Sequence, residues 1–369
     1  MKVLISTDTV GGVLTYTAEL AAALRTRGNE VVVATMGPRL RREQRQLLPR
    51  RVHESGFRLE WMKNPWKDVA AAGEWLLALE EAERPDVVHL CSYSHAALPF
   101  SAPKLVVAHS CVLSWWRAVH GSEAPPAWDR YREEVAAGLG AADAIVAPTQ
   151  AMLSELERDR DLPPGRTCVI HNGTHLPPTG RKYPYMEGNR PVGGVQVEKE
   201  AMVLGSGRFW DAAKNLAVLD AAAEGLEWPV VLAGDLGGRE ATRFATSTGV
   251  LDSSRLAELR RRAAIYAAPA LYEPFGLGIL EAAADRCALV LGDIPSLREL
   301  WSDAAIFVDP RDSGALREAL AGLAGDRWLR SALADRAQRR AASYSIDRAA
   351  SAYARLYRGL IATPAQVHA

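Results

Sequence analysis

Cysteine and net charge are both scarce in this 369-residue chain. Its four cysteines, Cys91, Cys111, Cys168 and Cys287, lie far apart and form no Cys-x-x-Cys pair. That excludes a disulfide-stapled scaffold and fits small core residues in a reducing compartment, the cytoplasm. Lys plus Arg and Asp plus Glu each number 44, so the formal net charge is zero. Such a balance gives no global electrostatic case for nucleic acid. No apolar stretch approaches the length that crosses a bilayer. The opening Met1-Lys2-Val3-Leu4-Ile5-Ser6 has too short an apolar run for a signal peptide and reads as a buried strand. No His, Cys and Asp cluster has metal-ligand spacing. Asp159-Arg160-Asp161 matches an aspartate pair of the kind that holds metal, but it ends a charged helix (Glu155, Glu157, Arg158) and reads as a solvated face. No internal repeat or low-complexity tract is evident.

What is present is a strand–helix alternation. Hydrophobic residues make up 48% of the chain, enough for two ordinary domains with separate cores. Strand-like apolar runs span Val3–Ile5, Glu30–Ala34, Asp86–Leu90, Lys104–Ala108, Asp143–Ala147 and Thr167–Ile170. Helical stretches lie between them, notably Val13–Arg27, which Gly28 ends as a C-cap. Continuous apolar strands of this kind predict a parallel sheet covered on both faces. The alternation breaks from about Pro177 to Lys199, in a Gly/Pro-rich polar stretch that reads as a linker. A second series follows: Met202–Gly205, Pro229–Ala233, Ile265–Ala268, Ala288–Leu291 and Ala305–Val308. The expected organisation is α/β: a first domain over residues 1–185, a linker over 186–199, a second domain over 200–345 and a terminal helix in 346–369. Two doubly wound halves joined in this way predict a cleft between them.

The most informative segment is Tyr272-Glu273-Pro274-Phe275-Gly276-Leu277-Gly278-Ile279-Leu280-Glu281. An apolar run, Ala264–Pro269, precedes it, a loop carries Glu273, and a helix opens near Gly276. A helix N-terminus that faces a loop suits anions and sugar hydroxyls. Two carboxylates, one on the loop and one within the helix, can grip different parts of one elongated polar ligand. The spacing Glu-x7-Glu, with Pro-Phe-Gly-Leu inside it, resembles the signature of retaining glycosyltransferases of family 4. That resemblance implies the GT-B fold, two Rossmann-like doubly wound domains facing each other across a cleft, with the first on the acceptor side. It implies that Glu273 and the backbone N–H groups of Phe275, Gly276 and Leu277 hold the donor sugar, and that Glu281 holds the ribose hydroxyls. It further implies that the terminal helix crosses back to brace the first domain.

Other positions gain meaning from the same resemblance. In Gly205-Ser206-Gly207-Arg208-Phe209-Trp210-Asp211-Ala212-Ala213-Lys214-Asn215, Asp211 reads as an N-cap and Lys214 as a first-turn cation. A cation there opposes the helix dipole unless an anion joins it. With Arg208 it makes a positive site suited to a diphosphate; a solvated pair with acidic neighbours is the alternative. The family has an Arg and a Lys at matching positions that neutralise the leaving diphosphate. The loop Asp8-Thr9-Val10-Gly11-Gly12-Val13 is not G-x-G-x-x-G; Gly11 and Gly12 let backbone approach a ligand or simply make a tight turn. His109 follows a strand end, the position that faces the ligand crevice of an open parallel sheet. By resemblance it lines the donor sugar. The loop Ala233–Gly238, with Asp235, falls at the nucleotide base and is too generic to name that base. One departure concerns the Gly-x-Pro that often follows the second glutamate, where Asp285-Arg286-Cys287-Ala288 stands instead.

The expected activity is retaining transfer of a sugar from a nucleoside-diphosphate-sugar donor to an acceptor hydroxyl on a glycan, a lipid-linked molecule or a small molecule. Fixed cations would do the work of a metal, so no metal or other cofactor is expected. Arg39 to Arg51 holds six arginines against one acid, Glu43. It reads as a solvated face, with weak peripheral contact to anionic lipid or a phosphorylated acceptor as the alternative. Trp115 and Trp116 read equally as core or as an acceptor-stacking platform. A nucleotide-sugar epimerase, another GT-B enzyme and a non-catalytic binding protein on this scaffold stay open as rivals.

Overall fold

Seven buried or half-buried parallel strands form the first sheet: β1 (Lys2–Asp8), β2 (Glu30–Met36), β3 (Val52–Glu54), β4 (Val87–Leu90), β5 (Lys104–Val107), β6 (Ala144–Ala147) and β7 (Thr167–Val169). Their order is β3-β2-β1-β4-β5-β6-β7, so the winding direction reverses between β1 and β4. The structure, a computed structural model, describes residues 1–175, 198–238 and 242–362, with the backbone of Tyr185–Glu187 and Arg190–Val192. Val3, Leu4 and Ile5 are fully buried, as are Val32, Val33, Val87 and Val88, because helices cover both faces of this sheet. Helix Gly12–Arg25 ends as expected near Gly28. Gly28 N–H donates to Arg25 O at 3.0 Å and Asn29 N–H to Leu24 O at 3.2 Å, with Gly28 at φ 76°, the Schellman closure.

The short strands β8 (Tyr185–Glu187) and β9 (Arg190–Val192) pair antiparallel. They fall in the stretch read as linker, most of which lies outside the described residues. The second sheet comprises β10 (Glu200–Arg208), β11 (Val230–Asp235), β12 (Thr246–Gly249), β13 (Ala263–Ala268), β14 (Ala288–Gly292) and β15 (Ala305–Val308). All are parallel, in the order β12-β11-β10-β13-β14-β15. Here the winding reverses between β10 and β13. In such sheets ligands bind outside the strand C-termini at the reversal. Arg208 ends β10, and the loop with Glu273 follows β13.

The chain divides into two compact units, Met1–Gly173 with the C-terminal helix Ile346–Ala362, and Thr174–Ser345. The first unit thus ends at Gly173, short of the expected 185. Helix Ile346–Ala362 packs on helix Gly12–Arg25 and on β4 within that unit. Its Tyr353 and Tyr357, the i+4 pair, are 0% exposed, and Arg27 pairs with Asp347 at 2.8 Å. No helix among the described residues is long and apolar enough to cross a membrane.

Candidate functional site

Three loops of the second unit are tied into one piece by Asn215. Its backbone is left-handed (φ 58°), and its Nδ2 donates to Pro269 O, after β13, at 2.9 Å and to Pro310 O, after β15. Asparagine is one of the few L-residues that tolerate this backbone. Leu271 N–H donates to Ala213 O at 2.9 Å and fastens the loop after β13 to the turn before Asn215. Ser296 Oγ donates to Glu273 O at 2.6 Å from the other side.

That scaffold brings Lys214 and Glu273 together. Lys214 Nζ donates to Glu273 Oε2 at 2.5 Å, with side chains 23% and 17% exposed. One of the three ammonium donors is used, which leaves two for another anion. Asp211 caps as expected, accepting from Ala213 N–H at 3.0 Å, but what it caps is a single 3-10 turn, Ala212–Lys214. The helix Leu216–Ala222 begins only after Asn215. Lys214 therefore precedes the helix and does not sit in its first turn. The left-handed Asn215 interrupts the helical path. The lysine stem runs over Gly207, whose Cβ, if present, would meet Lys214 Cδ at 3.7 Å.

Arg208 is next in the chain. Its guanidinium lies over the Trp210 ring at 5.2 Å from the centroid and 4.0 Å from Asp211 Oδ2. The indole is 42% exposed, so it supports the guanidinium from one side and leaves the fork reachable. Close backbone approach is visible at Gly234, where a Cβ would fall 1.8 Å from Gly207 O. Asp235 and Gly237 continue that loop, with Gly237 N–H donating to Asp235 Oδ1 at 2.8 Å.

Helix Leu277–Ala284 opens at Gly276, whose φ of 82° is left-handed. A Cβ there would meet Ile279 Cδ1 at 2.8 Å and Glu273 Cγ at 3.2 Å, so both backbone and space demand glycine. Phe275 is 3% exposed and edge-on to Tyr344 at 5.8 Å, which anchors the loop. First-turn N–H groups of a helix lack intrahelical partners, which makes this end suited to anions. Glu281 lies on the same helix with Ile279, Leu280 and Ala282–Ala284 buried around it. Burial raises its pKa, and Arg260, at 2.6 Å, opposes that rise. Tyr266, pushed up to about 12 by burial, stays a neutral hydroxyl and bonds Ser206 Oγ at 2.8 Å.

The first unit holds the remaining candidates. Gly11, at φ 75°, precedes helix Gly12–Arg25 as its N-cap, and both glycines are exposed. His109 follows β5, partly buried, edge-on to Tyr16 at 4.4 Å and with Nε2 3.5 Å from Cys91 Sγ. Burial lowers its pKa to about 3, so the imidazole is neutral at ordinary pH. Asp159 pairs with Arg117 at 2.6 Å, and no cluster of His, Cys, Asp or Glu among the described residues could hold a metal ion. Trp115 and Trp116 are half-buried and pack on His120, edge-on at 5.6 Å and tilted at 4.3 Å.

The motifs that the sequence displays assign no role to Asn215, Trp210, Ser296 or Arg260. Only Asn215 carried a local signal, an asparagine directly before an apolar helical run.

Known proteins resemble the chain along its length. Residues 10–176 match Glycosyltransferase Family 4, and residues 196–340 match Glycosyl transferases group 1. D-inositol 3-phosphate glycosyltransferase of Corynebacterium urealyticum is 28% identical over 254 residues, 60% of this chain and 58% of that protein. The chain thus spans less than two thirds of that relative's length. Sucrose-phosphate synthase of Thermosynechococcus elongatus superposes with a TM-score of 0.77 at 19% identity, covering 98% of this chain and 99% of that one. Anabaena HepE in complex with UDP and glucose gives 0.73 at 14% identity, covering 97% and 100%. The two parallel α/β units are of the GT-B kind, and the chain belongs to glycosyltransferase family 4.

Proposed function

We propose that the chain transfers a sugar from a nucleoside-diphosphate-sugar to an acceptor hydroxyl with retention of anomeric configuration. The observation that carries this reading is the Lys214–Glu273 contact at 2.5 Å, on loops that Asn215 ties together beside Arg208. A cation with spare donors and a carboxylate, side by side, match the two halves of a donor: the diphosphate and the sugar. As the bond from the anomeric carbon to the phosphate oxygen breaks, its electron pair stays on that oxygen. Lys214, Arg208 and the Leu277 end of the helix stabilise the growing charge, the kind of electrostatic term that dominates such steps. Glu273 orients the sugar, while Glu281 takes the ribose. The acceptor oxygen attacks from the face the phosphate leaves, and its proton passes to the departing phosphate. In the first unit, His109, neutral at the end of β5, and the exposed Gly11 and Gly12 are the candidates for ligand contact.

UDP-sugars are the first donors to try, since HepE is known with UDP and glucose. Arg39, Arg41, Arg42 and Arg50 are exposed and pair with no described acid, which supports an anionic acceptor or weak peripheral contact with anionic lipid. The free thiols fit a cytoplasmic location.

The test is release of nucleoside diphosphate from UDP-, GDP- and ADP-sugars over an acceptor panel. Lys214→Ala should lower turnover by about a hundredfold, the typical loss of one charge-stabilising donor. Undiminished turnover would remove Lys214 from the chemistry. Donor conversion that needs no acceptor would instead support an epimerase.

A further inference from the structure

Arg260 lies near the end of helix Ser253–Arg262, in the run Arg260-Arg261-Arg262. Unlike a solvated arginine, its side chain is only 13% exposed and is fastened by two carboxylates. Nη1 donates to Glu281 Oε2 at 2.6 Å, and Nε donates to Asp285 Oδ2 at 2.6 Å. The two acids stand four apart on and just after helix Leu277–Ala284, so they share one face. Asp285 is itself 10% exposed.

A guanidinium is a planar fork whose N–H directions are fixed. Pinning Nε to Asp285 therefore fixes the direction from which Nη1 meets Glu281. Rotation of the Glu281 carboxylate would break that bond, so its plane is fixed too. Oε2 is committed inward, while Oε1 has no bond to another described residue and the side chain is 25% exposed. A carboxylate held by one oxygen presents the other in a constant position, the requirement for reading a vicinal diol.

We propose that Arg260, locked by Asp285, is a positioning residue that sets the Glu281 carboxylate for recognition of the ribose diol of a nucleoside-diphosphate donor. This rests on the ribose role proposed above for Glu281. Direction, not charge alone, is the contribution of Arg260, so lysine cannot replace it: an ammonium is a point charge without a plane.

The experiment measures dissociation constants by calorimetry on the full chain. The ligands are whichever of UDP, GDP and ADP binds most tightly, and its 2′-deoxy analogue. The wild type should favour the ribonucleotide by about tenfold, as expected when a site built for a hydroxyl meets a ligand without it. Glu281→Gln should lose most of that preference. Arg260→Lys and Asp285→Asn should each cut it by about fivefold while affinity for the 2′-deoxy ligand stays unchanged. A merely destabilised fold would weaken both ligands together, and Asp285→Asn serves if Arg260→Lys fails to fold. If both variants keep the wild-type ratio while Glu281→Gln loses it, Arg260 has no such role and the reading of Glu281 survives. If Glu281→Gln keeps the ratio, or the wild type shows none, the reading of Glu281 falls and this inference with it.

Discussion

His89 sits in the core of the first unit, 0% exposed, with Nδ1 2.7 Å from Tyr357 Oη and Nε2 3.4 Å from Tyr16 Oη. Burial lowers its pKa to about 3. An unfolded histidine takes up its proton near pH ~6.5. Above that value neither state is protonated and His89 contributes nothing to the pH dependence. Between there and about 3 only the unfolded chain binds the proton, so stability falls as pH falls, by about 1.4 kcal/mol per pH unit. His89→Gln should therefore flatten the pH dependence of urea-unfolding free energy over that window by about one proton. An unaltered slope would mean that the folded protein protonates His89 after all. Residues of this kind show what the sequence conceals. Glu273, Gly276 and Glu281 were legible as a motif because their spacing is local, and at Gly276 a left-handed backbone combines with Ile279 Cδ1, 2.8 Å from where a Cβ would stand, to leave no room for a side chain. Arg260 was not, since Arg260-Arg261-Arg262 reads as a solvated helix end and its partners come from a different helix.

At the scale of elements, the helix Leu277–Ala284 closes in a way the family's glycine would predict but with a different residue. Arg286 N–H donates to Ala283 O at 3.0 Å, and Cys287 N–H to Ala282 O at 2.9 Å, the Schellman pair. The left-handed position is Arg286, at φ 59°. The departure at Asp285-Arg286-Cys287 therefore left the turn intact. Left-handed backbone costs an ordinary L-residue about 1–2 kcal/mol. The Arg286–Asp335 pair, 34% and 41% exposed, returns at most about 1 kcal/mol. Arg286→Gly should be more stable than Arg286→Ala by about 1 kcal/mol in chemical denaturation, the reverse of their order inside a helix. The opposite ranking would show that the turn relaxes out of the left-handed region. Elements missed in the sequence share a cause. β3 (Val52–Glu54) and β12 (Thr246–Gly249) are edge strands with no apolar run, held by neighbours rather than by their own pattern. The turn at Lys214 resembles a helix start in sequence because Asp211 gives the same capping signal for either.

At the scale of the molecule, strand–helix alternation revealed both parallel sheets, because strands covered on two faces are apolar throughout. Sheet order is a matter of tertiary pairing and left no such trace. The helix Ile346–Ala362 belongs to the first unit, yet the chain reaches it only after Thr174–Ser345. Ile346 is 1% exposed, and Ala350, Tyr353 and Tyr357 are 0%. A chain ended at Ser345 should bind a hydrophobic dye and lose the cooperative unfolding of the first unit; a sharp native transition would contradict this. Ribosomes add roughly 5–20 residues per second, so the wait for that helix lasts on the order of ten seconds or more. The portion translated first is thus finished last. Throughout that interval its open seam is a natural client for chaperones and a target for proteases.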